Sequence, residues 1–78
     1  MKEIIYDYGE SPCLVFSVAQ GNKPVGENSY ERLEFSLIVD TKNNELTYEI
    51  ENLWTGEKHE FKTWGESASF YLNEVSRV

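Results

Sequence analysis

The sequence contains a single cysteine, a single histidine and only two prolines among its 78 residues. Because Cys13 stands alone, no disulfide can form within the chain, whereas small secreted domains usually need several to reinforce a thin core. No apolar run near the start has the length of a signal peptide, and no stretch approaches the roughly 20 apolar residues of a membrane span. We therefore expect a soluble, cytoplasmic protein.

Basic residues are also scarce: 7 Lys and Arg stand against 14 Asp and Glu, for a formal net charge of −7. The basic residues are scattered, so no positive patch can be drawn. Because affinity for nucleic acid depends on neutralising phosphates with Lys and Arg, we expect no direct binding to nucleic acid or to an anionic membrane. The charge favours a protein partner with a basic surface, or it serves solubility alone.

The length fits one domain, residues 1–78, and the 40% hydrophobic and 14% aromatic content is enough for a single core.

Period-2 alternation from Arg32 to Asp40 predicts a strand, and the same pattern predicts another over residues 45–51. With Asn43 and Asn44 as the hairpin loop, the predicted register places Val39 opposite Tyr48. The same register places Leu37 opposite Ile50 and Leu33 opposite Trp54.

A second tight turn at Thr55-Gly56 leads into a strand over residues 57–62, because glycine supplies the positive φ that such turns need. This register predicts Ile50 opposite Phe61 and Glu49 next to Lys62. Upstream, β-prone runs predict strands over residues 13–19 and 3–8. The segment 20–31 has neither strand nor helix pattern and is predicted to be a long loop, either functional or a passive crossover.

The end of the chain changes to helical spacing, with apolar residues that form one stripe: Trp64, Ala68, Tyr71, Leu72, Val75 and Val78. Thr63 followed by Glu66 matches a capping box, so the helix should begin near Trp64. The pattern predicts an α+β fold: an antiparallel β-meander of four to five strands with one C-terminal amphipathic helix packed on one face.

No catalytic, cofactor-binding or metal-binding motif is present, so we expect no cofactor and no enzymatic activity. His59 has no partners in the spacing of a triad or metal site, and Cys13 is typical of a small buried hydrophobe. The glycines match neither a phosphate-binding loop nor a dinucleotide fingerprint. An enzyme that uses His59 is the least favoured of three interpretations.

Two features point to a binding role: the segment 20–31 and a row of glutamates on the outer sheet face, where Lys58 and Lys62 partly neutralise the charge. The candidate partner-binding residues are Tyr30, Glu27, Glu31, Glu34, Glu49 and Glu51. Acidic residues would steer a basic partner towards this face, and aromatic residues would provide buried anchors. The alternative is that these carboxylates are ordinary surface decoration.

In size, charge and fold type, the chain resembles phage- and mobile-element-encoded anti-defence inhibitors such as anti-CRISPR proteins and DNA mimics. This resemblance rests on no motif and transfers no residue. The leading interpretation is a non-enzymatic protein-binding module, an inhibitor that occludes a basic surface of a larger partner. The alternative is a structural accessory subunit or homo-oligomeric domain that self-associates through an apolar patch.

Overall fold

A computed structural model of the chain describes residues 3–8 and 11–75, with side chains from Cys13 onward. It is an α+β fold in which one antiparallel sheet, ordered β1-β2-β3-β4-β5, carries a C-terminal helix on one face. The elements are β1 (Glu3–Tyr8), β2 (Ser11–Gly26), β3 (Ser29–Asp40), β4 (Glu45–Asn52), β5 (Lys58–Phe61) and α1 (Trp64–Glu74). The predicted meander with one helix is confirmed. No helix in the described part of the chain is long and apolar enough to cross a bilayer.

The predicted loop over residues 20–31 is wrong, because most of this segment is strand. Residues 20–26 continue β2 and pair with the start of β3 across a short turn at Glu27 and Asn28. The segment has no apolar alternation, and polar side chains form hydrogen bonds across the two strands instead. The Arg32 guanidinium donates to Asn22 Oδ1 (3.3 Å) and to Gln20 Oε1 (3.1 Å).

The β3–β4 register is shifted by two residues from the prediction, so that Leu37 lies opposite Tyr48 and Leu33 lies opposite Asn52. The cause is a four-residue loop closed by Asp40. Its carboxylate accepts hydrogen bonds from the backbone N–H groups of Lys42 and Asn43 (both 3.1 Å) and from Asn43 Nδ2 (2.9 Å). A shift of two leaves the side chains that are paired in β3 and β4 on their predicted faces, because the pleat also repeats every two residues.

The β4–β5 register is likewise shifted, so that Ile50 lies opposite His59 and not Phe61. Here the buried amide of Asn52 organises the connection, because its Oδ1 accepts from the backbone N–H of Trp54 (2.9 Å) and Thr55 (3.0 Å). The positive φ predicted at Gly56 is present, at 79°.

The helix begins at Trp64, as predicted, and Thr63 is its N-cap. The Thr63 hydroxyl accepts from the Glu66 backbone N–H (3.3 Å) and donates to the Glu66 carboxylate (2.9 Å). The core beneath the helix is formed by Leu33, Phe35, Ile50 and Tyr71. Tyr71 therefore packs on the sheet as its place in the helical stripe predicts.

The helical stripe is rotated relative to the prediction. Leu72 is 46% exposed, while Ser67 is fully buried and Phe70 packs on the ring of Phe61 at 5.3 Å. Ser67 fits because it is small and because its hydroxyl donates to the Trp64 carbonyl oxygen within the helix (2.8 Å). The predicted stripe member Val78 lies outside the described residues.

Candidate functional site: an acidic groove on the outer sheet face

The helix covers one face of the sheet, and the opposite face carries a shallow groove. Two adjoining cavities of about 320 Å³ and 240 Å³ share Ile38, Glu49 and Lys58 as lining residues. We call them together the acidic groove. Its other lining residues are Cys13, Val15, Glu34, Ser36, Asp40, Thr47, Glu51 and Glu60. Five carboxylates and one ammonium group therefore line a single surface.

The strand register sets carboxylates directly opposite one another in this groove. Glu34 lies opposite Glu51 across β3 and β4, and Glu49 lies opposite Glu60 across β4 and β5. A third pair, Asp40 opposite Glu45, stands at the end of the β3–β4 hairpin. Like charges directly across an antiparallel pair are destabilising. These pairs are therefore locally unfavourable in the isolated fold, and Lys58, directly opposite Glu51, offsets part of the repulsion.

Glu49 lies at the centre of this charge and is only half-exposed. Burial raises the pKa of its carboxyl, Lys58 lowers it, and the neighbouring Glu51, Glu60 and Glu34 raise it further. Desolvation is the largest of these effects, so the ionised form of Glu49 lacks the hydration of an ordinary surface glutamate. A cation placed beside Glu49 would supply that missing stabilisation.

Two of the groove carboxylates already have partners. Glu34 accepts a hydrogen bond from Gln20 Nε2 at 2.9 Å. The carboxyl of Asp40 has a pKa below its usual range, chiefly because the Asn43 side chain and backbone N–H donate to it. In the described part of the chain, no groove carboxylate lies within 4.0 Å of a Lys, Arg or His nitrogen. The ion pairs among the described residues, Lys23–Glu74 and His59–Glu57, lie outside the groove.

The predicted partner-binding residues fall into two groups. Glu34, Glu49 and Glu51 line the acidic groove. Tyr30 lies on the same face of β3 as Glu34, four residues away, or about 13 Å along the strand. The structure therefore brings three of the carboxylates together, with Tyr30 beyond one end of the groove.

Glu31 and Glu27 lie elsewhere. Glu31 points to the helix side of β3, where its Oε1 accepts a hydrogen bond from Asn52 Nδ2 at 2.8 Å. This contact gives Glu31 a structural role in holding the β4–β5 connection. Glu27 is exposed in the turn at the tip of the β2–β3 hairpin.

Sequence reasoning missed Trp54, which it placed in the core opposite Leu33. The side chain is 68% exposed, and its Nε1–H donates to the Tyr30 carbonyl oxygen at 3.0 Å. Trp54 therefore lies beside Tyr30, itself 52% exposed. The error followed from the hairpin register, because a strand that ends at Asn52 leaves Trp54 in the connection.

His59 lies outside the acidic groove, on the helix side of β5. Its ring packs against Phe70 with centroids 4.5 Å apart, and its Nε2 lies 3.1 Å from Glu57 Oε1. Across residues 3–8 and 11–75, no group of three or more His, Cys, Asp or Glu side chains is arranged to hold a metal ion. Comparison with protein-family models, curated proteins and solved structures finds no match for this chain.

Proposed function

We propose that this chain is a non-enzymatic protein-binding module whose acidic groove binds a basic surface of a larger protein. The observation that carries the proposal is the register that sets Glu34 against Glu51 and Glu49 against Glu60. Proteins keep locally unfavourable arrangements chiefly at functional sites. A basic partner would relieve this repulsion on binding, so the charge that destabilises the free sheet would favour the complex.

Tyr30 and Trp54 are the proposed anchors of the interface. Both are more than half exposed, and the hydrogen bond between the Trp54 indole and the Tyr30 carbonyl holds the two residues together. Trp and Tyr are over-represented among the residues that dominate binding energy. In such an interface, the acidic residues along the groove would speed association with the partner. The aromatic anchors beyond its end would slow dissociation.

The mode of action within this proposal is occlusion. Rows of carboxylates present the kind of charge that a nucleic-acid-binding surface attracts, so the module would inhibit such a partner in the manner of anti-CRISPR proteins and DNA mimics. The single cysteine favours a cytoplasmic setting for this inhibitor.

The test is a comparison of proteins captured from lysate of the native host by three immobilised forms of the chain. The forms are the wild type, a Glu49→Lys and Glu51→Lys double variant, and a control with Glu27→Lys and Glu57→Lys. The control changes the net charge equally, but neither of its residues lines the groove. We expect a basic protein to be captured by the wild type and the control and lost with the groove variant. Equal capture by all three forms would contradict the proposal.

A second candidate function, self-association, is favoured by an apolar surface on the helix side. A cavity of about 170 Å³ there is lined by Val18, Ala19, Phe35, Trp64, Ala68, Tyr71 and Leu72. Trp64 is 53% exposed and Leu72 is 46% exposed. Exposed apolar patches mark interaction sites. Light scattering would distinguish the two functions: a dimer that Leu72→Glu dissociates would favour the homo-oligomeric domain, and a monomer would favour the acidic module.

A further inference from the structure

Ser36 occupies the floor of the smaller cavity of the acidic groove. The residue is only 7% exposed, yet it lies on the outer face of β3 and lines the 240 Å³ cavity. Within the described residues its hydroxyl makes no hydrogen bond. Because every fully enclosed side-chain nitrogen or oxygen there has a partner, the Ser36 Oγ is not fully enclosed. The Ser36 Oγ therefore opens into the cavity and is available to a ligand.

The groups around Ser36 define the chemistry of that ligand. Glu49 is directly opposite Ser36 on β4, and Glu34 and Glu51 form the next cross-strand pair along the same face. The hydroxyl and three carboxylates thus offer acceptors to the cavity, which Lys58, directly opposite Glu51, also lines. Val15 and Ile38 add apolar surface. A ligand with several N–H donors, a positive charge and an apolar stem would satisfy both parts.

The Ser36 cavity has room for one side chain of a partner, and it adjoins the 320 Å³ cavity, with which it shares three lining residues. Pockets that enclose drug-sized molecules measure about 300–1,000 Å³, and the Ser36 cavity falls below that range. Arginine fits better than lysine, because its planar guanidinium offers five N–H donors in a fork that matches carboxylates and is more weakly hydrated than an ammonium group. Its methylene stem can lie along apolar surface.

We propose that the cavity formed by Ser36, Glu49 and Glu51 binds an arginine side chain of the basic partner. This inference rests on the proposed function and names the group that the groove recognises. Lys58 also lines the cavity, and its positive charge would repel the arginine of the partner. Removing the Lys58 charge should therefore strengthen binding, whereas removing the charge of Lys62, which does not line the cavity, should change it less.

The test is an NMR titration of the ¹⁵N-labelled protein with three capped glycine-rich peptides that carry arginine, lysine or the neutral isostere citrulline at the same positions. We expect the arginine peptide to shift the amide resonances of Ser36, Glu49 and Glu51, with weaker shifts for lysine and none for citrulline. Ser36→Ala should weaken arginine binding about tenfold, the effect of losing one hydrogen bond to a charged group. Ser29→Ala, at the far end of the same strand, is the matched control.

The outcomes separate the subsite from the wider interface. Two results together would support the subsite: tighter binding of the arginine peptide by Lys58→Gln, and weaker binding of it by a folded Ser36→Ala variant. Equal dissociation constants for the arginine and lysine peptides, unchanged by Ser36→Ala, would overturn it and leave an acidic surface that responds to charge alone. Shifts confined to residues outside the groove would overturn the subsite and contradict the proposed function as well.

Discussion

The hydroxyl of Tyr71 lies against Gly21, in the space that a side chain at position 21 would need. A Cβ atom built on Gly21 would come within 2.6 Å of the Tyr71 hydroxyl oxygen and 2.8 Å of Val75 Cγ1. The glycine therefore allows the C-terminal half of α1 to lie against the β2–β3 hairpin. Nearby, an ion pair between Lys23 Nζ and Glu74 Oε1 (3.1 Å) joins the same two elements.

Gly21→Ala should destabilise the fold by about 1–3 kcal/mol, the usual cost of forcing an extra carbon into a packed contact. The matched control is Gly65→Ala in α1, where a Cβ would meet nothing within 4 Å. That variant should stabilise the protein by up to about 1 kcal/mol, because alanine favours helix. Urea unfolding measures both. Equal stability of the two variants would contradict the close approach of Tyr71 to Gly21.

Tyr71 and Leu72 are neighbours in sequence with opposite environments, the first 9% exposed and the second 46% exposed. Tyr71→Ala should cost about 3–5 kcal/mol, because the ring fills the core beside Phe35. Leu72→Ala should cost about 1 kcal/mol or less, because much of its surface is already in water. Unfolding midpoints of the two variants provide the measurement, and a larger loss for Leu72→Ala would show that the helix is rotated towards the predicted stripe.

Asn52 holds the β4–β5 connection with three side-chain hydrogen bonds, two accepted from backbone N–H groups and one donated to Glu31. Asn52→Ala should destabilise the fold by at least about 1–3 kcal/mol, the cost of leaving buried polar groups without partners. Asn73→Ala, at an exposed helix position, should be neutral or slightly stabilising. Chemical denaturation would measure the free energy of unfolding of both variants. Equal stability of Asn52→Ala and Asn73→Ala would contradict the structural role of Asn52.

Glu49→Gln should raise stability at neutral pH while weakening partner binding. Burial raises the pKa of Glu49, so the folded state holds this proton more tightly than the unfolded state, and the ionised carboxylate costs stability. That cost is present above the raised pKa and disappears as the pH falls through it. The advantage of the variant should therefore shrink on acidification towards about pH 4. A urea-midpoint series would check this, with Glu27→Gln as control; a variant less stable than wild type at neutral pH would contradict it.

The sequence was sufficient to assign side chains to the two faces of β3, β4 and β5, because alternation fixes the face and a two-residue shift preserves it. It could not fix which residues are opposite each other. The loop lengths depend on side-chain contacts made by Asp40 and Asn52, and neither contact has a distinct sequence pattern. The charge clash between Glu49 and Glu60 was hidden for the same reason, since the predicted register set Glu49 beside Lys62.

The distal part of the β2–β3 hairpin could not be predicted from apolar periodicity. Residues 20–26 bury little, and their order comes from pairing with β3 and from the side-chain bonds of Arg32. Trp54 was misplaced because a large ring is ordinarily assigned to the core, whereas here it lies exposed beside Tyr30. An exposed tryptophan is recognisable only once the end of its strand is known.

The most direct measurement is the rate of association with the captured partner across a salt series. Screening shortens the Debye length from about 30 Å at 0.01 M to about 8 Å at 0.15 M, so association should slow steeply as salt rises. Glu49→Lys with Glu51→Lys should lower the association rate more than it raises dissociation, whereas Tyr30→Ala or Trp54→Ala should act chiefly on dissociation. Association that is independent of salt would contradict the claim that the acidic groove is the binding surface. Equal association rates for the Glu49→Lys and Glu51→Lys variant and for the control with Glu27→Lys and Glu57→Lys would contradict it as well.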